Sequence, residues 1–147
     1  MRVRAVILCL FTMVASTSAV GLVSTPASAQ TTAEARFVQR INDARARHGL
    51  PRLRVRAGLT DYARGHSRAM SQQRTLFHTS NFSVICCWSS ISENVGQGFG
   101  VRSVHRGLMQ SPTHRANILD PTKKAVGVGV VRTGDRLWVT QVFRRPR

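Results

Sequence analysis

Apolar side chains recur at helical spacing through the first part of the chain beyond residue 30, and at every second position near its end. Phe37, Ile41, Ala44 and His48 fall on one helical face that should meet a core, while Arg36, Arg40 and Arg47 point elsewhere. Thr31-Thr32-Ala33-Glu34 reads as a capping box, with Thr31 as N-cap and Glu34 reaching back from the third helical position. This helix runs to about His48 and stops at Gly49, with Pro51 just beyond. Leu53 and Val55 alternate with Arg52, Arg54 and Arg56, which predicts a short extended linker. A second helix is expected from about Gly58 to Arg74, with Leu59, Tyr62, Ala63, His66 and Met70 on one face.

Residues 79–92 lack helical periodicity and read as a long loop carrying Cys86, Cys87 and Trp88. Gly96, Gly98 and Gly100 suggest a flexible stretch before a third helix whose inner face holds Val101, Val104 and Leu108. Ser111-Pro112 predicts an N-cap followed by proline in the first helical turn, opening a short helix through Leu119 that Pro121 ends. The tail then changes period. Val126, Val128 and Val130 alternate with Gly127, Gly129 and Val131, a strand with small side chains on one face. Thr133-Gly134-Asp135 is a turn, and Arg136–Phe143 forms the returning strand. Helices first and a hairpin last indicate an α+β domain with segregated elements.

The N-terminus belongs to a different problem. Arg2 and Arg4 precede the mostly apolar stretch 5–15, and Ala27-Ser28-Ala29 is a small-residue cleavage site. Residues 1–29 therefore read as a signal peptide cleaved after Ala29, leaving 30–147 as a single secreted domain with no transmembrane anchor. The 147-residue chain carries a formal net charge of +16 and a pI near 11.9. Losing Arg2 and Arg4 leaves it strongly basic, so anionic envelope polymers or lipids are the partners its surface suits. Aromatic residues are only 6% of the chain, and no nucleic-acid-binding motif follows the signal segment, so specific nucleic-acid binding is not expected.

Acids are scarce enough to weigh one by one. Glu93, in Ser92-Glu93-Asn94-Val95-Gly96, lies among neutral residues and either ties down backbone amides or belongs to a polar site. His78 follows Leu76-Phe77 at a helix exit, and His114 sits on the short helix in Pro112-Thr113-His114-Arg115-Ala116-Asn117. Two imidazoles and a carboxylate suit either zinc or general acid–base work, although their spacing matches no short metal motif. His48 and His66 lie on apolar helical faces and read as core histidines with satisfied ring nitrogens. Cys86 and Cys87 are adjacent; a vicinal bridge, an intermolecular bond and a Cys-His-Asn nucleophile with His114 and Asn117 all stay open.

In this order, His78, the Ser92-Glu93-Asn94-Val95-Gly96 segment, Ser111-Pro112-Thr113-His114-Arg115-Ala116-Asn117-Ile118-Leu119 and Trp138-Val139-Thr140-Gln141-Val142-Phe143 form a recognisable pattern. It resembles the CAP superfamily of cysteine-rich secretory, antigen 5 and pathogenesis-related-1 proteins, and most of all its bacterial secreted branch. The resemblance implies a three-layer α-β-α sandwich with a central, mainly antiparallel sheet and a surface cleft. In animal and plant members two histidines and two glutamates line that cleft, and some bind zinc there. By position His78 matches the first histidine, Glu93 the first glutamate and His114 the second histidine. The second glutamate is expected about where Ser111 stands, and none is present. Asn117 matches a polar position that helps orient the cleft. The resemblance thus favours a non-enzymatic, extracellular or envelope-associated binding protein. The alternative is a metal-assisted, peptidase-like hydrolase built on His78, Glu93 and His114.

Overall fold

The computed structural model describes residues 31–147, so the signal-peptide assignment over 1–29 lies outside the described residues. In chain order the elements are α1 (Thr32–Arg47), β1 (Arg54–Val55), α2 (Ala57–Gln73), β2 (Trp88–Gly98), α3 (Val101–Gln110), α4 (Pro112–Leu119), β3 (Ala125–Thr133) and β4 (Arg136–Pro146). The capping box forms as the sequence predicts. The Glu34 amide donates to Thr31 Oγ1 at 3.3 Å, and Glu34 Oε2 accepts from the Thr31 amide at 2.8 Å.

The sheet has the order β1-β3-β4-β2, with β1 parallel to β3 and the other two pairings antiparallel. Alternate residues of the strands feed two cores. Val126, Val128, Val139 and Phe143 pack with Phe37 and Ile41 of α1, Val104 and Leu108 of α3 and Ile118 of α4. Ala125 and Val142 pack instead with Leu59 and Ala63 of α2. Helices therefore cover both faces of the sheet, the three-layer α-β-α sandwich expected from the family pattern. The alternating glycines of β3 explain how α2 lies so close. A Cβ at Gly127 would sit 2.2 Å from the Leu59 carbonyl carbon, and one at Gly129 would sit 2.1 Å from that of Ala63.

Three expectations need correction. The loop expected over 79–92 is a loop only through residue 87; from Trp88 the chain, including the expected flexible glycine stretch as far as Gly98, is β2, an eleven-residue edge strand paired with β4. Ser90, Glu93, Asn94 and Gln97 each find a hydrogen-bond partner, so the strand never shows an apolar–polar alternation. Gly96 and Gly98 serve packing rather than flexibility: added Cβ atoms there would lie 3.2 and 2.8 Å from the methyl carbons of Val104. The extended linker expected over Leu53–Val55 does form, and its Arg54–Val55 pair as the short parallel strand β1, with Leu53 buried beside it. His48 is exposed, not core-facing, because it is the C-cap of α1 and the chain turns away at Gly49. Its ring bonds the Ala44 carbonyl at 2.8 Å and Arg115 at 2.9 Å.

Candidate functional site

β2 is an edge strand, and both helical layers reach around it. Successive side chains of a strand point to opposite faces, so Glu93 projects toward α2 while Asn94 projects toward α4. His78 arrives from the segment after α2, and His114 from the first turns of α4. The outcome is a cluster at the rim of the sandwich, where two layers meet over one strand.

Glu93 is buried, and Oε1 accepts two hydrogen bonds: from His78 Nδ1 at 2.9 Å and from the Thr79 amide at 3.0 Å. The His78 side chain is 57% exposed while that of Glu93 is 3% exposed, so a buried carboxylate holds a solvent-facing imidazole in one orientation. With Nδ1–H donated to Glu93, the lone pair of His78 lies on Nε2. The ring of His114 stacks near it, with centroids 6.4 Å apart and planes inclined by 23°. Burial, and then the neighbouring His78, lower the pKa of His114 below the ordinary histidine value.

Ser111 stands where the family pattern predicts an acid. Its hydroxyl lies 2.8 Å from His114 Nδ1 and makes no bond to the α4 N-terminus, so it positions the imidazole instead of acting as a side-chain cap. Behind the histidines lies an amide network. Asn117 donates to Asn94 Oδ1 at 2.9 Å and to the Glu93 carbonyl at 3.3 Å. Asn94 donates to the His114 carbonyl at 3.0 Å and to Gln141 Oε1 at 3.2 Å. Asn117 thus hydrogen-bonds to the Glu93 backbone and the Asn94 amide, whereas the parts played by Asn94 and Gln141 carry no signal in the sequence pattern.

His66 is a further neighbour of the cluster that sequence reasoning misses. Its Nε2 bonds the Phe77 carbonyl at 2.9 Å, as befits a satisfied inner histidine, and also lies 3.8 Å from Glu93 Oε2. Glu93 Oε2 is buried without a hydrogen-bond partner. A sequence signal exists, since Tyr62 and His66 are one helical turn apart on the same face of α2. Their rings stack with centroids 6.5 Å apart. The Tyr62 hydroxyl donates to Thr79 Oγ1, beside the amide that bonds Glu93. Burial raises the Tyr62 pKa, the Thr79 hydrogen bond opposes that shift, and the Glu93 charge adds to it.

Zinc, which the family pattern carries with it, can be tested on these donors. One Glu93 oxygen is occupied by His78 and Thr79, and the other faces inward toward His66. Among the described residues no group of three or more His, Cys, Asp or Glu side chains is arranged to hold a metal ion. The trio His78, Glu93 and His114 is brought together, but as two imidazoles backed by an orienting carboxylate and not as a three-donor cage. Cys86 and Cys87 lie elsewhere, against Arg144 at the end of β4 and Arg147 just beyond it, so no Cys-His-Asn arrangement forms with His114 and Asn117.

From His114 and Ser111 a groove of about 400 Å³ extends past Leu76 and Gly96–Phe99 to Val104 and Leu108. Phe99 is 66% exposed and Leu76 38%. Arg136 holds its guanidinium carbon 5.7 Å from the centre of the Phe99 ring, placing a cation at that end of the groove. Among the described residues no helix is long and apolar enough to cross a membrane.

Solved structures with the same fold include an outer surface protein from Borrelia burgdorferi, at 15% identity and a TM-score of 0.73. That match covers 81% of this chain and 96% of the other. An extracellular protein containing a SCP domain from Bacillus anthracis matches at 25% identity and a TM-score of 0.69, over 77% of this chain and 40% of its own. A cysteine-rich secretory protein from Staphylococcus aureus matches at 18% identity and a TM-score of 0.58, over 82% and 40% respectively. This chain therefore spans about 40% of the length of those last two relatives. No curated protein sequence matches it closely enough to count as a relative. The model of the CAP, cysteine-rich secretory protein family matches residues 38–143, which takes in β2, the histidines and the closing hairpin. The chain belongs to the CAP family.

Proposed function

We propose that this protein is a secreted, non-enzymatic binding protein that acts outside the cell or at its envelope, taking an anionic amphiphile in the groove beside His114. The observation that carries this reading is Ser111. At the position where an acid would complete the cleft, a hydroxyl bonds His114 instead, and Glu93 is committed to holding His78. An apolar groove with Phe99 exposed in it, and Arg136 beside that ring, suits an acyl chain with a negative headgroup. The extracellular and outer-surface character of the Bacillus and Borrelia neighbours supports this location.

The His78–Glu93 pair favours a second reading as a hydrolase. A carboxylate-oriented imidazole with Nε2 toward solvent is the arrangement of a general base. The Ser111–His114 pair lacks a carboxylate on its imidazole, so it has no third group to orient it as a nucleophile–base couple. One experiment separates the two readings. Titration of the protein with phosphatidylglycerol vesicles and with an anionic wall polymer should give saturable binding to the vesicles, weakened about tenfold or more by Phe99→Ala. In parallel, peptide, ester and phosphodiester pools are assayed with wild type and His78→Ala. Turnover abolished by His78→Ala, without saturable vesicle binding, would replace the first reading by the second.

A further inference from the structure

Cys86 and Cys87 take no part in the cleft, and the backbone around them is unusual. Both side chains are exposed and free. Neighbours in extended backbone point to opposite sides, yet Cys87 adopts a left-handed φ of 63°, uncommon for a residue with a Cβ. That turn brings the two Sγ atoms to one side, 2.6 Å apart. The turn is held on β4 at both ends: Arg144 donates to the Cys86 carbonyl at 3.3 Å, and the Arg147 amide donates to the Cys87 carbonyl at 3.4 Å. Arg147 also donates from its side chain to the Trp88 carbonyl at 3.2 Å. Two guanidinium groups therefore stand beside two thiols. Cys86 raises the Cys87 pKa through its hydrogen bond and charge, while Arg144 and Arg147 pull in the opposite direction.

We propose that Cys86 and Cys87 form a reversible dithiol–disulfide site that closes within one chain, with a low-molecular-weight disulfide as its oxidant. One cysteine thiolate attacks a sulfur of the small disulfide, forming a mixed disulfide and expelling a small thiolate, which takes up the proton the cysteine released. The neighbouring thiolate then attacks the protein sulfur of that mixed disulfide and expels the second small thiol. In sum, two protein thiols are oxidised to one disulfide, and one small disulfide is reduced to two thiols. The second step is fast because the attacking sulfur is already in place. Cα atoms joined by a trans peptide are about 3.8 Å apart, closer than in ordinary disulfides, so the bridge is strained and readily reopened. The site is independent of the groove and of its ligand.

The test uses the full chain carrying Cys9→Ser, equilibrated without oxygen in graded mixtures of reduced and oxidised glutathione, then acid-quenched and alkylated. Peptide masses are read over the segment containing both cysteines. At the oxidising end both alkylation sites should be lost and the peptide should be lighter by two hydrogens. The change should reverse in reduced glutathione, with the protein monomeric on a non-reducing gel. Disulfide-linked dimers, a lasting glutathione adduct or two alkylatable thiols throughout would overturn the proposal. In the additional variant Cys86→Ser, Cys87 should accumulate a glutathione adduct that the wild-type pair clears. An adduct cleared equally fast in both proteins would also overturn it.

Discussion

At the scale of single residues, the cleft depends on amides as much as on its titratable groups. Asn117 is half-buried and supplies donors to Asn94 Oδ1 and to the Glu93 carbonyl. Asn117→Ala removes a partner from both acceptors and should lower unfolding stability by about 1–3 kcal/mol. Chemical denaturation checks the loss, and NMR of His78 and His114 should show their ring resonances moving while those of the exposed His48 stay still. The histidines and Glu93 are legible in the sequence because few such residues exist and the family pattern orders them. His66 does not stand out there, because its helical position alone describes a core residue. Only the fold brings its Nε2 within 3.8 Å of Glu93.

At the scale of elements, legibility follows periodicity. α1, α2 and α3 bury one stripe each, whereas α4 buries only Ile118 and is marked instead by Pro112 in its first turn and Pro121 beyond its end. The β3–β4 hairpin shows its alternation and its turn. β2 shows neither, because its long-range partners, not its neighbours in sequence, satisfy Glu93, Asn94 and Ser90. Arg36 and Arg47 face outward as the helical pattern predicts, but Arg45 is fully buried. It donates to the carbonyls of Pro51, Ile118 and Asp120 and so ties the end of α1 to the end of α4. The contact between α2 and β3 gives a prediction with opposite signs at two glycines. Gly129→Ala drives a Cβ into the backbone of Ala63 and Arg64, which cannot yield as a side-chain tip could. It should cost about 3 kcal/mol or more. Gly65 is exposed in the interior of α2 with open space at its Cβ position, so Gly65→Ala should stabilise by about 1 kcal/mol. Thermal and denaturant unfolding of both variants measures the pair; equal effects would mean that α2 does not rest on the glycine face of β3.

For the whole molecule, the charge of +16 is almost entirely arginine, with Lys123 and Lys124 the only lysines. Arginines stay charged at any working pH, so acid sensitivity must come from the few other groups, of which His105 is the most strongly shifted. His105 on α3 is 7% exposed, and its Nδ1 has no hydrogen-bond partner. Burial foremost, then Arg40 and Arg47 of α1, lower its pKa to about 4, with Asp43 opposing them. The folded protein therefore keeps His105 neutral where the unfolded chain, with an ordinary value near 6.5, already binds a proton. Stability from this group is complete above the unfolded value and is lost as pH falls from about 6.5 to about 4, by about 3 kcal/mol in all. Glu34 acts at lower pH. Burial would raise its carboxyl, but hydrogen bonds from Arg64, Thr31 and Val130, with the Arg64 charge, hold it below the usual range. Its contribution is present above the ordinary carboxylate value and disappears as pH falls through its lowered folded value. Stability should thus decline in two stages on acidification, the first owing chiefly to His105 with His114 adding to it, and the second to Glu34 and Asp120, whose carboxyls are both held below the usual range. His105→Leu removes the largest part of the first stage, so its stability should fall much less than that of wild type from about pH 6.5 to about 4, and should still fall below that. Urea unfolding at half-unit pH steps measures both curves, and an unchanged upper stage in His105→Leu would assign the acid response to another group.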